Sequence, residues 1–214
     1  MKLCGRSRRK VFIGIALFFL CGGLLFWLMN QNESDALPDI PVEYLQNGNI
    51  ICRHGDGFWS NLIIRSNPYD KRFSHIGVLV VSDGNVTVVH ADTSSRFSVT
   101  GKVVQESLST FLGHAKRIGI FRHRRVDANK LASNACRYLG YPFDWKLDDK
   151  DNEALYCSEL LKLAILQASA DEDIPHIKYG NQDVIPVDAF ITPENSVELF
   201  EWRADATDGK ATTP

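Results

Sequence analysis

Apolar and polar positions alternate most clearly across residues 75–91. The runs His75-Ile76-Gly77-Val78-Leu79-Val80-Val81 and Val86-Thr87-Val88-Val89-His90-Ala91 flank Ser82-Asp83-Gly84-Asn85. Asp-Gly between β-branched runs predicts a tight β-hairpin. A turn centred on Asp83-Gly84 pairs residues whose numbers sum to 167, so His90 falls opposite Gly77 and His75 opposite Asp92. His75 and His90 become diagonal neighbours on one face, roughly 7–8 Å apart at most. Gly77 beside them leaves room for two imidazoles or for a substrate.

A different pattern follows Tyr156. The charged loop with Asp148, Asp149, Lys150, Asp151 and Glu153 gives way to a nearly all-apolar run from Cys157 to about Ser169. A helix apolar on most sides is buried in a core. Cys157 then sits on its first turn, among unpaired N–H groups at the positive end of the dipole, where thiolates are favoured.

The remaining elements are shorter. Strands are predicted at 49–53, 103–104, 118–121 and 197–202. Helical spacing is predicted over 58–65, 107–112 and 127–139, and the segment after Pro175 reads as loop. The expected organisation is a basic segment at 1–10, a transmembrane anchor at 11–29, a linker at 30–47, a domain at 48–203 and a disordered tail at 204–214. The fold class expected is α+β, with an antiparallel sheet packed on helices.

The anchor is the 19-residue uncharged stretch Val11–Met29, about the length that spans a bilayer core, with Trp27 near one end. A cleaved signal peptide is the other reading, but no small-x-small spacing precedes Asn30. Lys2, Arg6, Arg8, Arg9 and Lys10 precede the stretch with no acid among them. They orient the chain with its bulk outside the cytoplasm, on the periplasmic side in a Gram-negative cell. The other residues hold nineteen bases against twenty-six acids. That balance argues against a nucleic-acid partner, which needs a basic surface.

Five cysteines need sorting. Cys4 falls in the basic cytoplasmic segment and Cys21 within the anchor. Cys52 and Cys136 read as small buried hydrophobes, which leaves Cys157 as the nucleophile. His75 is then the base that forms its thiolate, and His90 the group that orients His75. Backbone N–H groups of Cys157 and Ser158 form the expected oxyanion site. His54, His114, His123 and His176 read as surface residues. No cofactor or metal is expected. A zinc site built from Cys157, His75 and His90 is the rival use of these residues, though no close-spaced ligand pair is present. The acidic run 148–153 lacks the central Gly and distal Glu of an EF-hand and reads as a solvated loop.

The set Ser74-His75-Ile76-Gly77-Val78, Val88-Val89-His90-Ala91, Tyr141-Pro142-Phe143-Asp144 and Tyr156-Cys157-Ser158-Glu159-Leu160 resembles the YiiX/YebB-like cysteine hydrolases, over about residues 48–170. These are circularly permuted relatives of NlpC-type papain-like enzymes. The resemblance implies a permuted papain-like fold with Cys157 as nucleophile, His75 as base and His90 as the third polar residue. It implies cleavage of an amide or ester in a peptide, lipid or small acyl substrate. The alternative is a non-catalytic binding or scaffold protein on the same fold.

Overall fold

The computed structural model describes residues 38–55, 58–93, 101–113, 115–169 and 171–204. The anchor expected at 11–29, the basic segment before it, His114 and nearly all of the 204–214 tail lie outside these. Among the described residues, no helix is long and apolar enough to cross a membrane.

Among the described residues, eight strands and four α-helices follow one another as β1 (Ile50–Gly55), α1 (Phe58–Ser66), β2 (His75–Ser82), β3 (Asn85–Asp92), β4 (Lys102–Ser107), α2 (Leu108–Leu112), β5 (Ala115–His123), α3 (Ala128–Cys136), α4 (Cys157–Ala168), β6 (Ile177–Tyr179), β7 (Gln182–Val184) and β8 (Ser196–Arg203). Six strands form one antiparallel sheet in the order β4-β3-β2-β1-β5-β8, and β6 and β7 form a separate hairpin. The fold is α+β, as expected.

Period-two alternation sends side chains to both faces of this sheet, and both faces are buried. On one face Cys52, Ile76, Val78 and Val89 pack against Leu131 and Ala135 of α3 and Leu160, Leu161 and Ala164 of α4. On the other, Ile51, Leu79, Val88 and Ile120 pack with Phe111 and Leu112 of α2 and with Phe200. The part of the 30–47 linker that is described already packs on the sheet: Ile40 is buried, and the Tyr44 ring lies 5.9 Å from that of Phe200.

The β2–β3 hairpin has the expected register. Val78 pairs with Val89 and Ser82 with Asn85, and Asp83 and Gly84 take φ of 51° and 79° at the turn. The cross-strand pairing ends at Val78–Val89. Beyond it β2 stays with β1, through Ile76–Cys52 and His75–Arg53, while β3 stays with β4, through His90–Val104 and Ala91–Val103. The two strands part where the histidines lie.

Three elements differ from expectation. α3 stops at Cys136, and the chain turns through Gly140 at φ 88°. The region after Pro175 contains the β6–β7 hairpin around Gly180. The acidic run 148–153 is not wholly solvated: Asp149 is largely buried, pairing with Lys162 of α4 and, at 2.6 Å, with His176. It ties the loop before α4 to that helix and to the start of β6.

Candidate active site

The site is assembled at the parted ends of β2 and β3. His75, the first residue of β2, and His90, on β3, share the face that also carries Leu79 and Val88. Their rings meet edge to face with centroids 4.9 Å apart, and His75 Nε2 lies 2.8 Å from His90 Nδ1. Gly77 permits this. A Cβ there would stand 2.7 Å from Val88 Cγ1 and 3.1 Å from His90 Cβ.

A third group continues the line. Glu106 opposes Val88 across the β3–β4 ladder, which makes it the diagonal neighbour of His90. Its Oε1 lies 2.9 Å from His90 Nε2. The next residue, Ser107, caps α2 by accepting the Thr110 N–H at 3.1 Å. That cap turns the chain so that Phe111 stacks on His75 at 5.7 Å and meets the edge of His90 at 5.0 Å. The Arg53 guanidinium lies over the Phe111 ring, 4.7 Å from its centre, and donates Nη1 to the Phe111 carbonyl at 2.5 Å.

This geometry fixes the tautomers. An ionised carboxylate only accepts, so His90 donates from Nε2 to Glu106. With its proton on Nε2, the His90 ring accepts at Nδ1, and His75 donates to it from Nε2. His75 Nδ1 is left as the nitrogen with a free lone pair. Burial, then the charge of the nearby Arg53 guanidinium, holds the proton affinity of His75 well below the usual histidine range. His75 is therefore a neutral base at neutral pH.

Cys157 opens α4, as expected, with Tyr156 at the N-cap. It is a free thiol, as are Cys52 and Cys136. Sγ lies 3.9 Å from Ser158 Oγ. Backbone N–H groups of Ile76, Ser158 and Cys157 also point toward the sulfur and favour its anion. Burial outweighs them and pushes the thiol up, so the expectation of an acidic cysteine is reversed. The helix start supplies donors, but the desolvation of the sulfur outweighs them. No hydrogen bond joins Sγ to the His75 ring among the described contacts; both residues line one cavity of about 820 Å³.

The other expectations divide. Cys52 is fully buried and Cys136 packs against the core, as small hydrophobes do. His123 is buried at the end of β5 and His54 is half-buried, so neither is a surface residue. Glu106, Phe111 and Arg53 were not anticipated. Glu106 would have emerged had the β3–β4 register been readable.

The structure thus joins a large antiparallel sheet, a helix opening on a free cysteine, and a hydrogen-bonded histidine pair of which His75 lines the same cavity as Cys157. No family model matches the sequence. The chain is 30% identical over 123 residues to the uncharacterized protein YiiX of Escherichia coli K12, across 54% of this chain and 55% of that one. It thus spans about half the length of the curated relative it matches. A crystal structure described as metalloprotein yiiX from Escherichia coli O157:H7 has a similar fold, with a TM-score of 0.57. The likeness covers 71% of this chain and 96% of that one at 22% identity, a level that speaks to the fold alone.

Proposed function

We propose that this protein is a membrane-anchored thiol hydrolase on a permuted papain-like fold, cleaving an ester or amide of an acyl group. Cys157 is the nucleophile, His75 the base, and His90 with Glu106 the relay that holds His75. The observation carrying this reading is the line Glu106–His90–His75, which leaves His75 Nδ1 without a hydrogen bond on a residue that lines the same cavity as Cys157.

The thiol and imidazole begin neutral. Substrate entry brings the pair within reach, and His75 Nδ1 takes the thiol proton as Sγ attacks the acyl carbonyl. Positive charge on His75 is met by His90 Nδ1, and behind it by the Glu106 carboxylate. N–H groups at the start of α4 face the developing oxyanion. The C–O or C–N bond then breaks, and His75 returns the proton to the leaving oxygen or nitrogen. Water attacks the thioester, giving its proton to His75, and the C–S bond breaks with Sγ recovering that proton. An alcohol or amine in place of water would make the same centre an acyltransferase.

The description of the solved E. coli relative as a metalloprotein raises a metal reading. The residues here do not fit it as they stand. The ring nitrogens that would face a shared ion face each other at 2.8 Å, and the remaining nitrogen of His90 is bound to Glu106. No group of three His, Cys, Asp or Glu among the described residues is arranged to hold one. No step above uses a metal.

Substitution separates the roles. Cys157→Ala should abolish turnover of acyl substrates, and His75→Ala should lose nearly as much. His90→Ala should be milder, and His90→Asn milder still, because an amide carbonyl accepts the same ring proton. Wild-type activity in all four would end the proposal.

A further inference from the structure

We propose that Ser158 is a further catalytic residue, whose hydroxyl donates to the Cys157 sulfur as the thiol proton leaves, with the Ile76 N–H as a second donor. The proposal rests on the thiol reading above. The second donor follows from where the sheet opens. Leu79 N–H donates to the Asn49 carbonyl, and the Leu79 carbonyl accepts the Gly48 N–H. Odd-numbered residues of β2 thus turn their main-chain groups toward β1. Main-chain groups alternate sides along a strand, so even-numbered residues turn theirs toward β3. The β2–β3 pairing ends at Val78–Val89, which takes the Ile76 N–H out of the ladder. It points to Cys157 Sγ instead.

Ser158 comes from a different element. It is the second residue of α4 and only 1% exposed. Its Oγ lies 3.9 Å from Sγ, and among the described contacts Sγ is the partner of that hydroxyl. A buried hydroxyl costs stability unless a hydrogen bond offsets it, and a neutral sulfur is a weak partner. Alanine would fill the position without that cost and with a better helix propensity. The resting fold therefore gives no reason for a serine here.

The charged sulfur gives one. A hydrogen bond to an ionised group is about twice as strong as one between neutral groups. Once the thiol proton has passed to His75 Nδ1, Sγ can only accept. Ser158 keeps its own proton and turns it toward the sulfur, so no bond to Ser158 forms or breaks. The same donors face Sγ again when the C–S bond of the thioester breaks and the sulfur leaves with the electron pair. Burial of the sulfur makes them necessary, because the anion forms where little else can stabilise it.

The test reads the sulfur directly. The full chain in detergent is alkylated with iodoacetamide from pH 6 to 11, and mass spectrometry follows the peptide bearing Cys157, apart from the other four cysteines. Ser158→Ala should raise the midpoint of that profile by about one pH unit. Its kcat/KM for an activated ester at pH 7 should fall roughly tenfold, with the loss in kcat. Its urea midpoint should hold, because helix propensity offsets the lost neutral bond. Ser158→Thr and Ser158→Val share one shape and differ by the hydroxyl, so the threonine profile should lie nearer the wild type and the valine profile nearer Ser158→Ala. Coincident threonine and valine profiles would overturn the proposal. A wild-type profile in Ser158→Ala with a lowered urea midpoint would do the same and leave Ser158 a packing residue. The shift in Ser158→Ala, with no ester turned over by the wild type, would sustain the sulfur donor and sink the thiol-hydrolase reading. Ester turnover without any shift would do the reverse.

Discussion

Glu106→Gln is the most informative single change in the relay. The glutamine carbonyl can still accept the His90 Nε2–H, so the tautomers of both rings survive and only the charge is lost. The two links of 2.9 and 2.8 Å, with the His90 ring between them, put the carboxylate roughly 7–8 Å from the His75 imidazolium that forms during attack. At an effective dielectric of about 20, opposite unit charges at that distance attract by about 2 kcal/mol. Losing that attraction in the transition state predicts a fall of roughly thirtyfold in kcat/KM. The carboxylate also favours protonated His75, so its removal lowers the affinity of His75 for a proton. The acid limb of the pH–rate profile should move to lower pH while the plateau drops. Stopped-flow hydrolysis of an activated ester across pH 4–9 reads both. Glu106→Ala should fall further, because it frees the His90 tautomer as well. A Glu106→Gln enzyme with unchanged kcat/KM and an unchanged acid limb would refute the relay.

Other outcomes follow from the same structure. Gly77→Ala should destabilise the fold by about 1–3 kcal/mol in urea unfolding, because its Cβ meets Val88, the Val89 carbonyl and His90. Glu159 is fully buried with neither oxygen bonded, and burial with Asp149 and Asp144 nearby raises it to about 8. The folded state then holds a proton that the unfolded state releases at about pH 4.5, so this group removes stability as pH rises from there to about 8. Glu159→Gln should flatten that decline and gain on the order of a few kcal/mol at pH 8; an unchanged slope in denaturant titrations would contradict it. Alkylation of Cys157 by iodoacetamide, without substrate, should lag that of an exposed peptide thiol at every pH below 9, given the direction of its shift. Protease added to intact spheroplasts should digest the domain if residues 11–29 anchor it outward; full protection until lysis would reverse the orientation.

What the sequence revealed depended on how local its signals were. Asp83-Gly84 fixes the hairpin turn, and the register that follows brings His75 to His90 without any tertiary information. Cys157 was placed at a helix start by the break between a charged loop and an apolar run. Glu106 was hidden because residues 93–101 separate β3 from β4, and no turn signal in that stretch sets a register. β6 and β7 have three residues each, too few for alternation to stand out. The sign of the Cys157 shift and the partners of Asp149 are tertiary quantities. Desolvation and a salt bridge across 13 residues, Asp149 to Lys162, depend on packing that periodicity does not encode.

The central claim is that an acyl group passes through the Cys157 sulfur. Rapid quenching of the full-length enzyme during turnover of an activated ester, followed by peptide mass spectrometry, tests it most directly. The account predicts a thioester adduct, of the mass of the acyl group, on the peptide bearing Cys157. The adduct should be lost in hydroxylamine and be absent from the Cys157→Ala protein. Turnover at the full wild-type rate with no adduct on Cys157, or with the adduct on another residue, would contradict it.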